Sequence, residues 1–316
     1  MPADHEPRAV GEAAGTTDET TAGAPPPPDD DAEQTPRATT DEESPPAPHA
    51  AEAMTTVRTS RGVPLTAQLV TLVAIEAVVF FAFLLIEPTP RWLALFGAVV
   101  AALAFDGVLR SSVREPFASG ADSMPYLFLP TLYALVMPVF VEHTVGGWWV
   151  LAGGAALVAG FAAVLLAEVG SVRALALAYR PARVVAALGA YSVAFALFDL
   201  GYLLELDVPG AMGAAAVGAA LLGIELLREG EIDPLETLGF AAIVGLVAAE
   251  SRWTLHFLPL EGELAALMLL LVFYVSSGLL HAHLTRQLSR RAAGEYAAIA
   301  AVGLAIVIGA RAGGIA

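Results

Sequence analysis

The chain has 316 residues, 57% of them hydrophobic and 15% charged, with a mean hydropathy of +0.67 and a formal net charge of −16. Globular averages are roughly 45–50% apolar and 25% charged, so the composition points to membrane and its acidity points away from nucleic acid. Zero cysteine excludes a disulfide framework, a thiolate nucleophile, Cys-ligated zinc and an iron–sulfur cluster.

The net charge is unevenly spread. Residues 1–60 hold 13 Asp or Glu against Arg8, Arg37 and Arg58, leaving −10, whereas residues 61–316 hold 19 acids against 13 Arg, leaving −6. All 16 basic residues are Arg, which reads as a GC-rich codon bias and carries no function.

Residues 1–60 are expected to be a disordered, acidic, Pro-rich cytoplasmic tail. Acidic runs and ten Pro in residues 1–53 leave too little apolar surface to offset backbone entropy. The tail is either a solvated extension or a docking segment whose partner the sequence does not identify. Met54, followed by Arg58 and Arg61, is an alternative start to Met1.

From residue 61 onward the pattern is that of an all-α polytopic transmembrane bundle. About 20 apolar residues cross a hydrocarbon core, and about nine runs qualify: 65–86, 92–109, 124–141, 147–168, 184–204, 209–227, 235–257, 262–284 and 294–312. Without water to satisfy the backbone, each is expected to be helical. The third run contains Pro125, Pro130 and Pro138, which remove backbone donors and predict a kink.

Arginine sets the expected orientation through the positive-inside rule. Eleven Arg fall on the N-terminal side of the spans, among them Arg110, Arg114, Arg173, Arg183, Arg228 and Arg290, and only Arg91, Arg252 and Arg311 on the other. The N-terminus is therefore expected in the cytoplasm and the C-terminus outside, in the cytoplasmic membrane of a prokaryote. Trp92, Trp148, Trp149 and Trp253 then fall at the outer interface, where amphipathic rings are favoured.

Ionisable residues within spans are the default functional candidates. Glu76 lies near the middle of the first span, Asp199 in the fifth and Glu250 in the seventh, and together they are proposed as an ion- or proton-binding cluster. Glu250 and Arg252 are two apart and point to different faces, whereas Arg252 and His256 share one. An outer-interface polar cluster of Arg252 and His256 with Glu205 and Asp207 is expected from that spacing.

At the cytoplasmic ends, Asp106 with Arg110, Glu225 with Arg228, and Glu168 shortly before Arg173 read as local structural pairs. His281 and His283 are two apart on a helix end and diverge, so no metal site is expected. No cofactor is expected either. Small-residue rows at Ala214 and Gly218, Ala219 and Gly223, and Gly309 and Gly313 permit close helix approach, either within the bundle or in a homo-oligomer.

There is no phosphate-cradling glycine loop with its Lys, no Gly-x-Ser-x-Gly elbow and no aspartate-rich diphosphate pair, so no catalytic residue is assigned. The stretch from Glu250 to Trp253, Phe257 to Glu261, Phe273 to Val275, and Arg290 to Tyr296 resembles uncharacterised bacterial multi-pass membrane proteins grouped as a domain of unknown function. That resemblance covers the final third and implies no activity, cofactor or site. The functional expectation is a small-solute or ion transporter, proton-coupled, or a channel; the alternatives are a non-catalytic scaffold or assembly factor and an intramembrane enzyme acting on a lipid.

Overall fold

The computed structural model describes residues 64–112, 120–172, 178–228, 234–260 and 262–313. The tail expected over residues 1–60, including Arg8, Arg37, Met54 and Arg58, lies outside these, as do Arg61, Arg114 and Arg173.

Among the described residues all regular structure is helical, in nine helices: α1 Leu65–Leu85, α2 Arg91–Ser112, α3 Gly120–Thr144, α4 Trp149–Ser171, α5 Tyr179–Leu203, α6 Val208–Leu227, α7 Pro234–His256, α8 Gly262–Leu284 and α9 Arg290–Ala312. Every one is long and apolar enough to cross a membrane. Each matches one expected span, but α2, α3, α4, α5 and α9 extend three or more residues beyond it. There polar residues continue the backbone ladder past the end of the apolar run, keeping its groups satisfied. The start of α9 is capped by Ser289, whose hydroxyl accepts from the backbone N–H of Ala292 at 3.1 Å, satisfying an otherwise orphaned donor.

Each helix packs against the next in sequence, and the links are short, so neighbours run antiparallel. One face of the bundle, the near face, carries the starts of the odd-numbered helices and the ends of the even-numbered ones; the far face is opposite. All four Trp stand at far-face ends and are exposed.

The helices carry apolar residues on every side, and large side chains such as Val70, Val78, Leu103 and Leu246 remain exposed. That is the pattern of a bundle solvated by lipid. Inside, aromatics and small residues divide the work. Phe161 of α4 meets Phe80 of α1 edge-on at 5.7 Å and Tyr133 of α3 at 5.9 Å, and the Tyr133 hydroxyl donates to the Leu157 carbonyl at 3.2 Å. A Cβ on Gly160 would collide with the Tyr133 ring, so glycine makes room for it. Pro125, Pro130 and Pro138 all lie within the unbroken α3.

α3 packs on α1, α2, α4, α5 and α6, and α5 on α3, α4, α6 and α8; half of the α5 span is buried. α9 is the opposite case: it packs on α8, with 6% of its span buried. The small-residue rows of α6 are consumed inside the bundle. Gly218 faces Leu197 of α5, and a Cβ on Gly223 would lie 3.5 Å from the Ala241 backbone of α7. Gly309 of α9 has open space around it.

Candidate functional site

The three spanning carboxylates differ in burial and in the helices around them. Glu76 is wholly buried on α1, with no hydrogen-bond partner for either carboxyl oxygen. Its Oε2 lies 3.2 Å from where a Cβ on Gly97 of α2 would stand, so the absent side chain at Gly97 is what accommodates the carboxyl. α1 packs on α2, α3 and α4, and α7, which carries Glu250, packs on α6 and α8. Glu250 is exposed. Asp199 is 2% exposed on α5, with Oδ1 unpartnered.

The polar cluster at the far face has different members from those expected. Arg252 is buried on α7 and lays its guanidinium over the Tyr202 ring at 3.9 Å, a cation–π contact rather than an ion pair with Glu205 or Asp207. Those two acids are exposed in the α5–α6 turn, and His256 is exposed against the Phe257 ring. The helical repeat explains the change: Arg252 faces the neighbouring α5 helix end, while the turn between α5 and α6 directs its acids to solvent. Tyr202 lies within electrostatic reach of both Arg252 and Asp199, and Asp199 of Glu263. The Tyr202 hydroxyl and the Arg252 Nε and Nη1 have no hydrogen-bond partner.

The strongest constellation lies at the near face. There the expected local pair Glu225–Arg228 exists at 3.0 Å, but it is one edge of a network joining four helices. Arg228, at the end of α6, also reaches Glu168 of α4 at 2.9 Å and the Ser171 hydroxyl at 3.2 Å. Its guanidinium stacks 3.6 Å over the Tyr126 ring of α3. Arg183 of α5 binds the same Glu225 oxygen at 2.7 Å. Its Nη2 donates to the backbone carbonyls of Glu225 at 3.1 Å and Leu226 at 3.4 Å.

Each contact has a physical cause. The last carbonyls of α6 have no partner within their own helix and carry the negative end of its dipole, and Arg183 supplies both the donors and the charge. Glu168 and Glu225 are fully buried, the two arginine side chains about 15% exposed. Two carboxylates and two guanidinium groups sum to zero, so the cluster stays buried without a net charge. Burial alone would lower the affinity of Arg228 for its proton, but Glu225 and Glu168 beside it raise it above the ordinary guanidinium range, so Arg228 is a permanent cation. Not every valence is filled: Glu168 Oε1, Glu225 Oε2 and Arg228 Nη1 have no hydrogen-bond partner.

Sequence spacing revealed Glu225 and Arg228 but not their alliance with Glu168 and Arg183, 60 and 42 residues away. A usable signal was present: four charges at near-face helix ends, two of each sign. The Asp106–Arg110 pair is local as expected, at 2.8 Å, with the Ser123 hydroxyl donating to Asp106 at 2.5 Å. No group of three or more His, Asp or Glu able to hold a metal occurs among the described residues.

Comparison with known proteins adds a family without an activity. A family model described as "Protein of unknown function (DUF5656)" matches residues 73–310, from within α1 to within α9, and so includes both polar clusters. No curated protein and no solved structure matches the chain.

Proposed function

The chain belongs to this family of unknown function, its nine apolar helices make it an integral multi-pass membrane protein, and from its geometry we propose that it is a proton-linked carrier of a small solute or ion. The observation that carries this reading is the pair of buried carboxylates, Glu168 and Glu225, which share one guanidinium and each keep one unpartnered oxygen. Like charges brought together on one cation compete for it, and a proton added to either relieves the competition.

The mechanism follows from that competition. A proton on Glu168 weakens its hold on Arg228, leaving the Ser171 bond as the remaining tie of Arg228 to α4 while the Tyr126 stack still holds it to α3. Arg228 is then free to shift toward Glu225 or to accept an anion, so α4 and α6 can move apart. Loss of the proton restores the lock. Charged groups inside membranes that pair in this way recur along proton and ion pathways. The Arg distribution favours a cytoplasmic near face, and on that reading the proton is exchanged at the inner end of a prokaryotic cytoplasmic membrane.

The test is proton flux in reconstituted vesicles. With a pH gradient imposed and an interior pH dye as readout, the wild type dissipates the gradient faster than protein-free vesicles. Glu168→Gln and Glu225→Gln, which keep shape and one acceptor oxygen, reduce that excess at least about tenfold, the scale of losing a positioned proton-transfer group. A scaffold in which the cluster only ties four helices together shows no flux in the wild type. The lipid-enzyme reading gains nothing from the geometry, because Arg252 faces Tyr202 while Glu250 and His256 are exposed.

A further inference from the structure

Between α9 and the body of the bundle lie two cavities that share a wall residue. The first, about 250 Å³, is bounded by Arg183, Tyr191, Ser277, His281 and Tyr296, all in the near-face halves of their helices or at mid-depth. The second, about 360 Å³, is an apolar slot between Leu267, Leu270, Leu271, Ile299, Gly303 and Ile306, running from mid-depth into the far-face halves of α8 and α9. Tyr191 lines both. Tyr274, of the slot, meets Tyr191 at 5.4 Å and Tyr296, of the polar cavity, at 5.9 Å. A polar chamber and a hydrocarbon slot are thus stacked along the membrane normal on either side of these tyrosines.

Three features say what fits. Among the described residues no carboxylate lines the polar chamber, whereas Arg183, Tyr191 and Tyr296 do, so its donors suit an anion. Arg183 spends three N–H donors on Glu225 and the α6 carbonyls, leaving two of its five. The slot is walled by aliphatic side chains and flanked by α9, the helix with the least buried span, so a chain can enter sideways from the bilayer. Its volume falls in the roughly 300–1,000 Å³ range of small-molecule sites.

We propose that this groove holds one membrane lipid, its phosphate bound by Arg183 and Tyr296 and one of its chains lying in the slot between α8 and α9. The site is separate from the carboxylate switch; of the four charged groups there, Arg183 alone touches both.

Native mass spectrometry of the full chain in detergent tests it. Phosphatidylglycerol and phosphatidylcholine with identical chains are added as probes, with inorganic phosphate as a competitor. The monomer is expected to retain phosphatidylglycerol with about tenfold preference, the value of one charge-assisted bond that the zwitterion makes less well. Tyr296→Phe, which keeps the ring, is expected to reduce that preference severalfold, and Arg183→Gln to abolish it. Leu267→Trp, at a 41% exposed position of the slot, is expected to lower retention of both lipids. If Arg183→Gln fails to fold, the other two variants still decide. Equal retention of the two lipids, a preference untouched by Tyr296→Phe, retention untouched by Leu267→Trp, full displacement by free phosphate, or a lipid-free dimer that covers α9 would each overturn the assignment.

Discussion

Arg228→Ala is expected to destabilise the bundle by about 3–5 kcal/mol, the cost of removing one partner from a buried ion pair and stranding the other. Among the described residues Glu168 loses its sole ion-pair partner, and Glu225 keeps only Arg183. The Tyr126 stack is lost as well, at about 0.5–2 kcal/mol when desolvated. Helices that remain inserted in lipid find substitute partners for stranded polar groups, which places the outcome at the lower end of that range. The diagnostic is the double variant. Arg228→Gln with Glu168→Gln leaves Arg183 and Glu225 intact and no charge unpaired, so it is expected to be more stable than the sum of the single changes by about 0.5–3 kcal/mol. Thermal unfolding in detergent reads all four proteins, and strict additivity would mean that Glu168 and Arg228 do not act as a pair.

Gly245→Val is expected to separate α6 from α7 at a cost of about 1–3 kcal/mol or more. A Cβ at Gly245 would stand 2.5 Å from the Ala216 carbonyl oxygen and 2.9 Å from the Ala220 Cβ. The first obstacle is backbone and cannot rotate away. Lipid is as apolar as the helix surfaces, so association here depends on contact between small residues; Ala216, Ala220 and Gly223 face Ala241 and Gly245 across the seam. Gly239 of the same helix has open space, and Gly239→Ala is expected to be neutral or to stabilise by up to about 1 kcal/mol through helix propensity. Melting temperatures that fall for Gly245→Val and hold or rise for Gly239→Ala meet the expectation. Equal shifts would remove the close-approach account.

The spans were legible because they depend on one local quantity, the length of an apolar run, which lipid makes decisive. Their ends were less so: α5 starts at Tyr179 rather than near residue 184, because Arg180 and Arg183 can stay helical while reaching the interface. Arg183 is what a hydropathy reading places outside the membrane body, and it proves to cap α6. The spanning acids illustrate the limit of one-dimensional reasoning. Depth along a helix can be counted, but Glu76 is buried on α1 and Glu250 exposed on α7, and azimuth depends on which helices become neighbours. Arg252 erred for a related reason: an aromatic ring on α5 can hold a guanidinium as an acid would, and nothing in the spacing of Arg252 and His256 favours ring over carboxylate.

The central claim is that Glu168 and Glu225 exchange a proton while Arg228 stays charged. Infrared difference spectra of the protein in lipid, taken as pH is stepped, read the protonated-carboxyl C=O stretch directly. A band that comes and goes with pH in the wild type, and is lost or shifted in both Glu168→Gln and Glu225→Gln, is the result this account predicts. Wild-type and variant spectra that coincide across the pH range would contradict it and leave the cluster as a fixed tie between four helices.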